Sequence, residues 1–98
     1  MVDETTDGPA DYVIPDQVYL REVNGQMVLL NLETEQYYGL DEVGAAIVNR
    51  LIELPRAAAI AALLGEFEGV DADTLRTDVD TLIASLIAAG LLENTLVR

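Results

Sequence analysis

The sequence predicts an α+β fold built as one domain, with a three-stranded antiparallel sheet followed by three helices. Three observations predict it. Strand-like apolar runs occupy only the region from Tyr12 to Leu40, apolar residues recur at helical spacing from Asp41 onward, and Asn24-Gly25 splits two strand-like runs. The length agrees, because 98 residues with 51% hydrophobic side chains can bury one modest core and not two.

Residues 1–11 are polar and acidic, carry Gly8-Pro9 and show no apolar periodicity. This composition predicts a disordered acidic tail ahead of a domain spanning residues 12–93. Val18–Val23 and Gln26–Leu32 read as strands flanking Asn24-Gly25, a pair suited to a type I′ turn because both central residues need positive φ. With Val23 opposite Gln26, Arg21 falls opposite Val28 and Leu20 opposite Leu29. The unbroken apolar run Met27–Leu30 predicts a central strand covered on both faces. Glu33-Thr34-Glu35 makes a second turn. Gln36–Leu40 then returns as a short edge strand, open to pairing with a foreign strand.

Asp41 is a good N-cap with Glu42 in the first turn. Val43, Ile47, Leu51 and Leu54 follow at helical spacing until Pro55 ends the helix. A second helix covers Arg56 to Phe67, its apolar face set by Ile60, Leu63, Leu64 and Phe67. Either Asp71 or Asp73 caps a third helix, whose stripe comprises Leu75, Val79, Leu82, Ile83 and Leu86, widened by Ile87. Gly90 stops it, Leu91-Leu92 folds back on the core, and residues 94–98 fray. A sheet followed by two short helices and a longer third makes the domain winged-helix-like.

Composition removes most chemistry. There are 18 acids and 5 bases, all of them arginine, with no His, Cys or Lys and a formal net charge of −13. Such a chain has no histidine-activated nucleophile, Schiff-base or P-loop lysine, disulfide, or histidine- or thiolate-held metal. No cofactor is expected, and a binding protein is favoured over an enzyme. A surface this acidic repels nucleic acid and anionic lipid. The third helix also sets Arg76 among Asp73, Asp78 and Asp80, where a DNA reader needs bases. No apolar run reaches the ~18 residues of a membrane span, and the N-terminus does not read as a signal peptide. The expectation is a soluble cytoplasmic protein with a cationic or apolar partner.

Asp71-x-Asp73 and Asp78-x-Asp80 admit a divalent-cation reading. However, residues two apart on a helix diverge and calcium-loop spacing is missing, so a solvated helix start suits them better and no metal is expected. Tyr37-Tyr38 is more informative. Consecutive strand residues point to opposite faces, so one ring enters the core and the other lies on the far face or beside the third helix. The wide stripe of the third helix exceeds what a small sheet and two short helices need. Its margin, beside a free strand edge, would form a peptide-binding groove.

The run from Leu29 to Gly44 resembles the PqqD-like signature of a strand, a Thr-containing turn, an aromatic strand and Leu-[Asn/Asp]-x-x-Gly opening a helix. Asp78-Val79, Leu82, Leu86 and Ala89-Gly90-Leu91-Leu92 resemble that family's ending, so the similarity spans about Tyr12 to Glu93. Ile47-Val48 stands where many members carry an apolar residue followed by Trp, and Leu54-Pro55 replaces an Asp-Gly-type turn. Neither departure touches the groove.

The resemblance implies a RiPP recognition element, a small winged-helix-like protein that captures the leader segment of a ribosomally made precursor peptide. In that family the leader adds antiparallel to the third strand and packs between it and the third helix. The implied peptide-binding set is Leu30, Gln36, Tyr37, Tyr38, Gly39, Leu75, Asp78, Val79, Leu82, Ile83 and Leu86. Val79, Leu82, Leu86 and the outward member of Tyr37-Tyr38 are expected nearest the leader, with part of the stripe exposed. The chain looks most like the stand-alone leader-binding protein of lasso-peptide biosynthesis. Its partners would be the leader, a separate transglutaminase-like leader peptidase and the cyclase. The alternatives are a PqqD-type peptide chaperone for a radical-SAM enzyme in pyrroloquinoline quinone biosynthesis and a small acidic winged-helix regulatory domain.

Overall fold

A computed structural model of the chain describes residues 9–95. Its elements run β1 (Tyr12–Val13), β2 (Val18–Val23), β3 (Gln26–Asn31), β4 (Tyr37–Leu40), α1 (Glu42–Leu51), α2 (Arg56–Glu66), α3 (Ala72–Ala88) and β5 (Glu93–Asn94). β2, β3 and β4 form an antiparallel sheet in that order, followed by three helices in the predicted α+β, winged-helix-like arrangement.

Asn24 at φ 54° and Gly25 at φ 80° close the β2–β3 hairpin. The register is the predicted one, with Val23 opposite Gln26, Arg21 opposite Val28 and Leu20 opposite Leu29. In the β3–β4 pair Leu30 faces Tyr37 and Leu29 faces Tyr38. β3 is central, but only one of its faces is covered. Leu29 is fully buried beneath the helices, whereas Val28 and Leu30 on the other face are half-buried. The run Met27–Leu30 overstates burial because all three helices pack on one side, leaving its outward members to solvent.

The core joins Val18, Leu29 and Leu40 of the sheet to Ile47, Val48 and Leu51 of α1, Ile60 and Leu63 of α2, and Leu75, Val79, Ile83 and Leu86 of α3. Gly90, at φ 75°, reverses the chain behind α3. The Leu91 N–H donates to the Leu86 carbonyl at 2.8 Å, which lays Leu91 and Leu92 on the core as predicted. Val43 and Leu54 leave the predicted α1 stripe. Val43 is exposed in the first turn, and Leu54 follows the end of the helix at Leu51.

Long-range ties hold the frame. β1 pairs with β5, Tyr12 opposite Asn94, and the Thr95 N–H donates to the Asp11 carbonyl at 2.9 Å. The Asp11 carboxylate accepts from the Arg56 N–H at 2.8 Å, capping α2, whose N-cap residue Pro55 offers no side-chain acceptor. Asp11, Asn94 and Thr95 are therefore bonded into the domain. The rest of the expected tail and frayed end, residues 1–8 and 96–98, lies outside the described residues.

The polar side chain of Asn31 is 2% exposed and fully engaged. Its Nδ2 donates to the Gly90 carbonyl at 3.1 Å, and its Oδ1 accepts from the N–H groups of Glu33 at 2.9 Å and Thr34 at 3.2 Å. This one residue joins the β3–β4 turn to the C-terminal end of α3.

Candidate functional site

β4 lies at the edge of the sheet and, among the described residues, pairs only with β3. The Gln36 carbonyl accepts from the Asn31 N–H at 2.8 Å. Main-chain groups alternate in direction along a strand, so Tyr38 also bonds toward β3 while Tyr37 and Gly39 turn their N–H and C=O to the free edge. Beyond Leu40, the Asp41 carboxylate accepts from the Gly44 N–H at 2.7 Å and caps α1. A Cβ on Gly44 would sit 3.2 Å from that oxygen and 3.4 Å from Leu40 Cδ2, which gives the Leu-Asp-x-x-Gly motif its physical reason. The turn brings the start of α1 to the floor between β4 and α3.

Two hollows border the start of α1, one at Asp41 and Gly44 and the other at Val43. One, of about 330 Å³, is lined by Gln26, Tyr38, Gly39, Leu40, Asp41, Gly44 and Leu82. The other, of about 420 Å³, is lined by Val43, Phe67, Gly69, Val70, Asp71, Thr74, Leu75 and Asp78. The first thus joins the β4 edge to α3, and the second extends an apolar floor toward the start of α3 with Asp78 at its rim.

The expected site residues fall in five places. Tyr38, Gly39 and Leu82 share the first hollow, while Leu75 and Asp78 share the second. Gln36 is exposed at the entry to β4. Leu30 and Tyr37 lie on the opposite face of the sheet, with Tyr37 73% exposed, so the tyrosine in the groove is the inward Tyr38 and not the outward one. Val79, Ile83 and Leu86 belong to the core. The expected partial exposure of the stripe is confined to its margin, since Val79 and Leu86 are fully buried where the sheet and α2 cover its centre. Of the nearest-leader trio only Leu82, at the stripe's margin, is half-buried.

Val43, Phe67 and Val70 form part of the second hollow without having been singled out for it. Val70 carried the one available signal, an apolar residue alone between Gly69 and Asp71. Three carboxylates at the cap and on the outer side of α3 have structural partners. Asp71 accepts from the Thr74 N–H at 3.1 Å, Asp73 pairs with Arg76 at 2.9 Å, and Asp80 pairs with Arg56 at 2.7 Å. Among the described residues, no group of three or more His, Cys, Asp or Glu is placed to hold a metal ion.

The family model described as coenzyme PQQ synthesis protein D (PqqD) matches residues 26–92, from the start of β3 to the residues that close the core. The chain belongs to the PqqD family. No curated protein matches its sequence. Two solved structures resemble this PqqD-family chain closely in fold. A lasso peptide synthetase B1 complexed with the leader peptide is 26% identical, covering 86% of this chain and 99% of its own, with a TM-score of 0.77. TbiB1 in complex with the TbiA(beta) leader peptide is 33% identical, covering 82% and 93%, with a TM-score of 0.73. The PqqD-like RiPP recognition element inferred from the motifs is thus the family to which the fold belongs. No helix among the described residues is long and apolar enough to cross a membrane.

Proposed function

We propose that this PqqD-family chain captures the leader segment of a lasso-peptide precursor and delivers it to a separate leader peptidase and cyclase, catalysing no step itself. The observation that carries this reading is the free edge of β4 beside Leu82 of α3 across an open groove. A peptide added to that edge would bond to the main chain of Tyr37 and Gly39 and turn alternate side chains toward Tyr38 and Leu82. The neighbouring hollow of Val43, Phe67, Val70 and Leu75 would take a further apolar side chain, with Asp78 at its rim. Val79, Ile83 and Leu86 would act from beneath, fixing the helix that carries Leu82. The two similar structures, each solved with a leader peptide, support the occupant. A chain without His, Cys or Lys suits delivery, which accelerates another enzyme by raising the local concentration of its substrate.

The family's description favours one second reading, a PqqD-type chaperone presenting its precursor to a radical-SAM enzyme. Both readings use the same groove and differ in the receiving enzyme. Amide exchange with the leader peptide of a lasso-peptide precursor tests the capture. Slowed exchange at Tyr37 and Gly39 is expected, and protection confined to β2 would place the site on the wrong edge. Faster leader cleavage by a lasso-pathway leader peptidase on adding this chain selects the lasso reading. Dependence of a radical-SAM enzyme on this chain, without such cleavage, selects the other.

A further inference from the structure

We propose that the captured leader carries a basic side chain just N-terminal to its paired stretch, and that this side chain lies in a hollow between the β2–β3 hairpin and α1 with its charge at Glu42. The proposal rests on the peptide-capture reading. The hollow, of about 580 Å³, is lined by half-buried Met27, Ala45 and Ala46 and by exposed Gln26, Glu42 and Asn49. It shares Gln26, Leu40 and Asp41 with the hollow that joins the β4 edge to α3. The groove therefore continues past the end of β4, around the corner at Asp41.

Main-chain geometry decides which part of the peptide arrives there. Alternation along the strand sets the Asp41 N–H, like those of Tyr37 and Gly39, toward the free edge. Asp41 is extended at φ −76° and ψ −176°, but its carbonyl accepts from the Ala45 N–H at 2.8 Å. Pairing thus ends at this residue, where the chain turns into α1. The three strands are antiparallel throughout, and antiparallel pairing is the more stable kind, so an added strand reaches Asp41 with its N-terminal side. The residues just before the paired stretch leave the edge at the mouth of the hollow.

The lining sets the chemistry of the side chain. Met27 and the two small alanines leave apolar space that suits the methylene stem of a lysine or arginine, whose charged head stays in water at the rim. There Glu42 makes no ion pair among the described residues, and no arginine lines the hollow. Arg50, Arg56 and Arg76 are committed to Glu66, Asp80 and Asp73. The start of α1 offers little to an anion, because the Asp41 carboxylate already takes the Gly44 N–H at 2.7 Å. A net charge of −13 favours a cationic peptide anywhere on the surface, whereas the hollow selects one position along it.

The test uses the full chain and a fluorescent leader peptide of a lasso-peptide precursor, made with lysine and then with glutamine at each position flanking the stretch that pairs with β4. One lysine position before that stretch is expected to bind at least fivefold more tightly than its glutamine counterpart. Glu42→Gln is expected to abolish this preference while binding the glutamine peptide within twofold of wild type and melting within a few degrees of it. Glu33→Gln removes the same charge from the β3–β4 turn, at the other end of β4, and is expected to keep the preference. A preference that survives Glu42→Gln would overturn the proposal, as would equal effects of the two variants, which net charge alone would explain. Lysine preferred only after the paired stretch, or at no position, would overturn it too. Failure of wild type to bind the parent peptide would overturn the capture reading itself, a result read before any lysine is placed.

Discussion

Leu82 and Val79 lie three residues apart on α3, yet one margins the groove and the other is core, so truncating each separates binding from folding. Val79 is fully buried and Leu82 half-buried. Leu82→Ala removes three carbons at about 0.8 kcal/mol per buried carbon, which at half burial costs about 1.2 kcal/mol and leaves an open notch, not a sealed cavity. In a domain of this size that lowers Tm by about 5–9 °C. Val79→Ala removes two buried carbons, about 1.6 kcal/mol, and adds about 1 kcal/mol for a closed cavity, lowering Tm by about 10–20 °C. In leader binding the order reverses. Leu82→Ala is expected to lose at least tenfold in affinity, about 1.4 kcal/mol, while Val79→Ala, measured cold where it stays folded, binds within about threefold of wild type. Thermal melting by circular dichroism and anisotropy titration of a labelled leader provide both numbers. If Leu82→Ala melts as low as Val79→Ala and still binds leader normally, Leu82 is core and the groove assignment is wrong.

Three further outcomes follow from single contacts. Asp11→Ala removes the acceptor that caps α2 at Arg56 and should cost about 1 kcal/mol, or roughly 4–8 °C in a thermal melt; an unchanged Tm would deny the cap its role. Asn31→Asp sets a carboxylate oxygen against the Gly90 carbonyl in a buried site and should cost about 3 kcal/mol or more in urea unfolding; a cost below about 1 kcal/mol would mean that the junction is not held there. Gly39→Pro should leave the fold intact, since that N–H faces the free edge, yet weaken leader binding by about 1–3 kcal/mol in anisotropy titration. Unchanged affinity would remove β4 as the pairing edge.

The sheet, its register and the three helices were legible because each rests on a local rule. Asn24-Gly25 specifies its turn through positive φ, Asp41 and Asp71 accept from N–H groups three residues on, and Leu63 or Val79 recurs at helical spacing. Contacts between distant residues were not legible in this way. Asp11 caps a helix 45 positions away, and Asn31 reaches Gly90 across 59. No periodicity in the chain marks either residue as different from any other polar one. The groove was half legible for a related reason. Periodicity finds the apolar side of α3 but not where sheet and α2 stop covering it, so Leu82 was grouped with the fully buried Val79 and Leu86. Strand alternation likewise separates Tyr37 from Tyr38, while the second turn, where Glu35 takes φ 64°, decides which of them faces the helices.

The placement of the ties explains how so small a domain can leave Tyr37, Val43 and Val70 exposed and still present a formed groove. Each exposed apolar side chain forgoes burial that a 98-residue chain has little of to spare. Three long-range ties lie outside the two hollows. Asp11 anchors the start of α2, β1 and β5 pair near the chain's ends, and Asn31 fastens the β3–β4 turn to the end of α3. With α3 capped by Asp71 at one end and held through Gly90 at the other, Leu82 is held opposite β4 before any peptide arrives. A groove held open in this way spends little ordering free energy on binding, so the entropy of association falls mainly on the peptide. On the proposed reading, affinity would depend on main-chain pairing at Tyr37 and Gly39, and discrimination on the two hollows. On that reading one short edge strand would recognise a peptide by its main chain and by the shape of the two hollows.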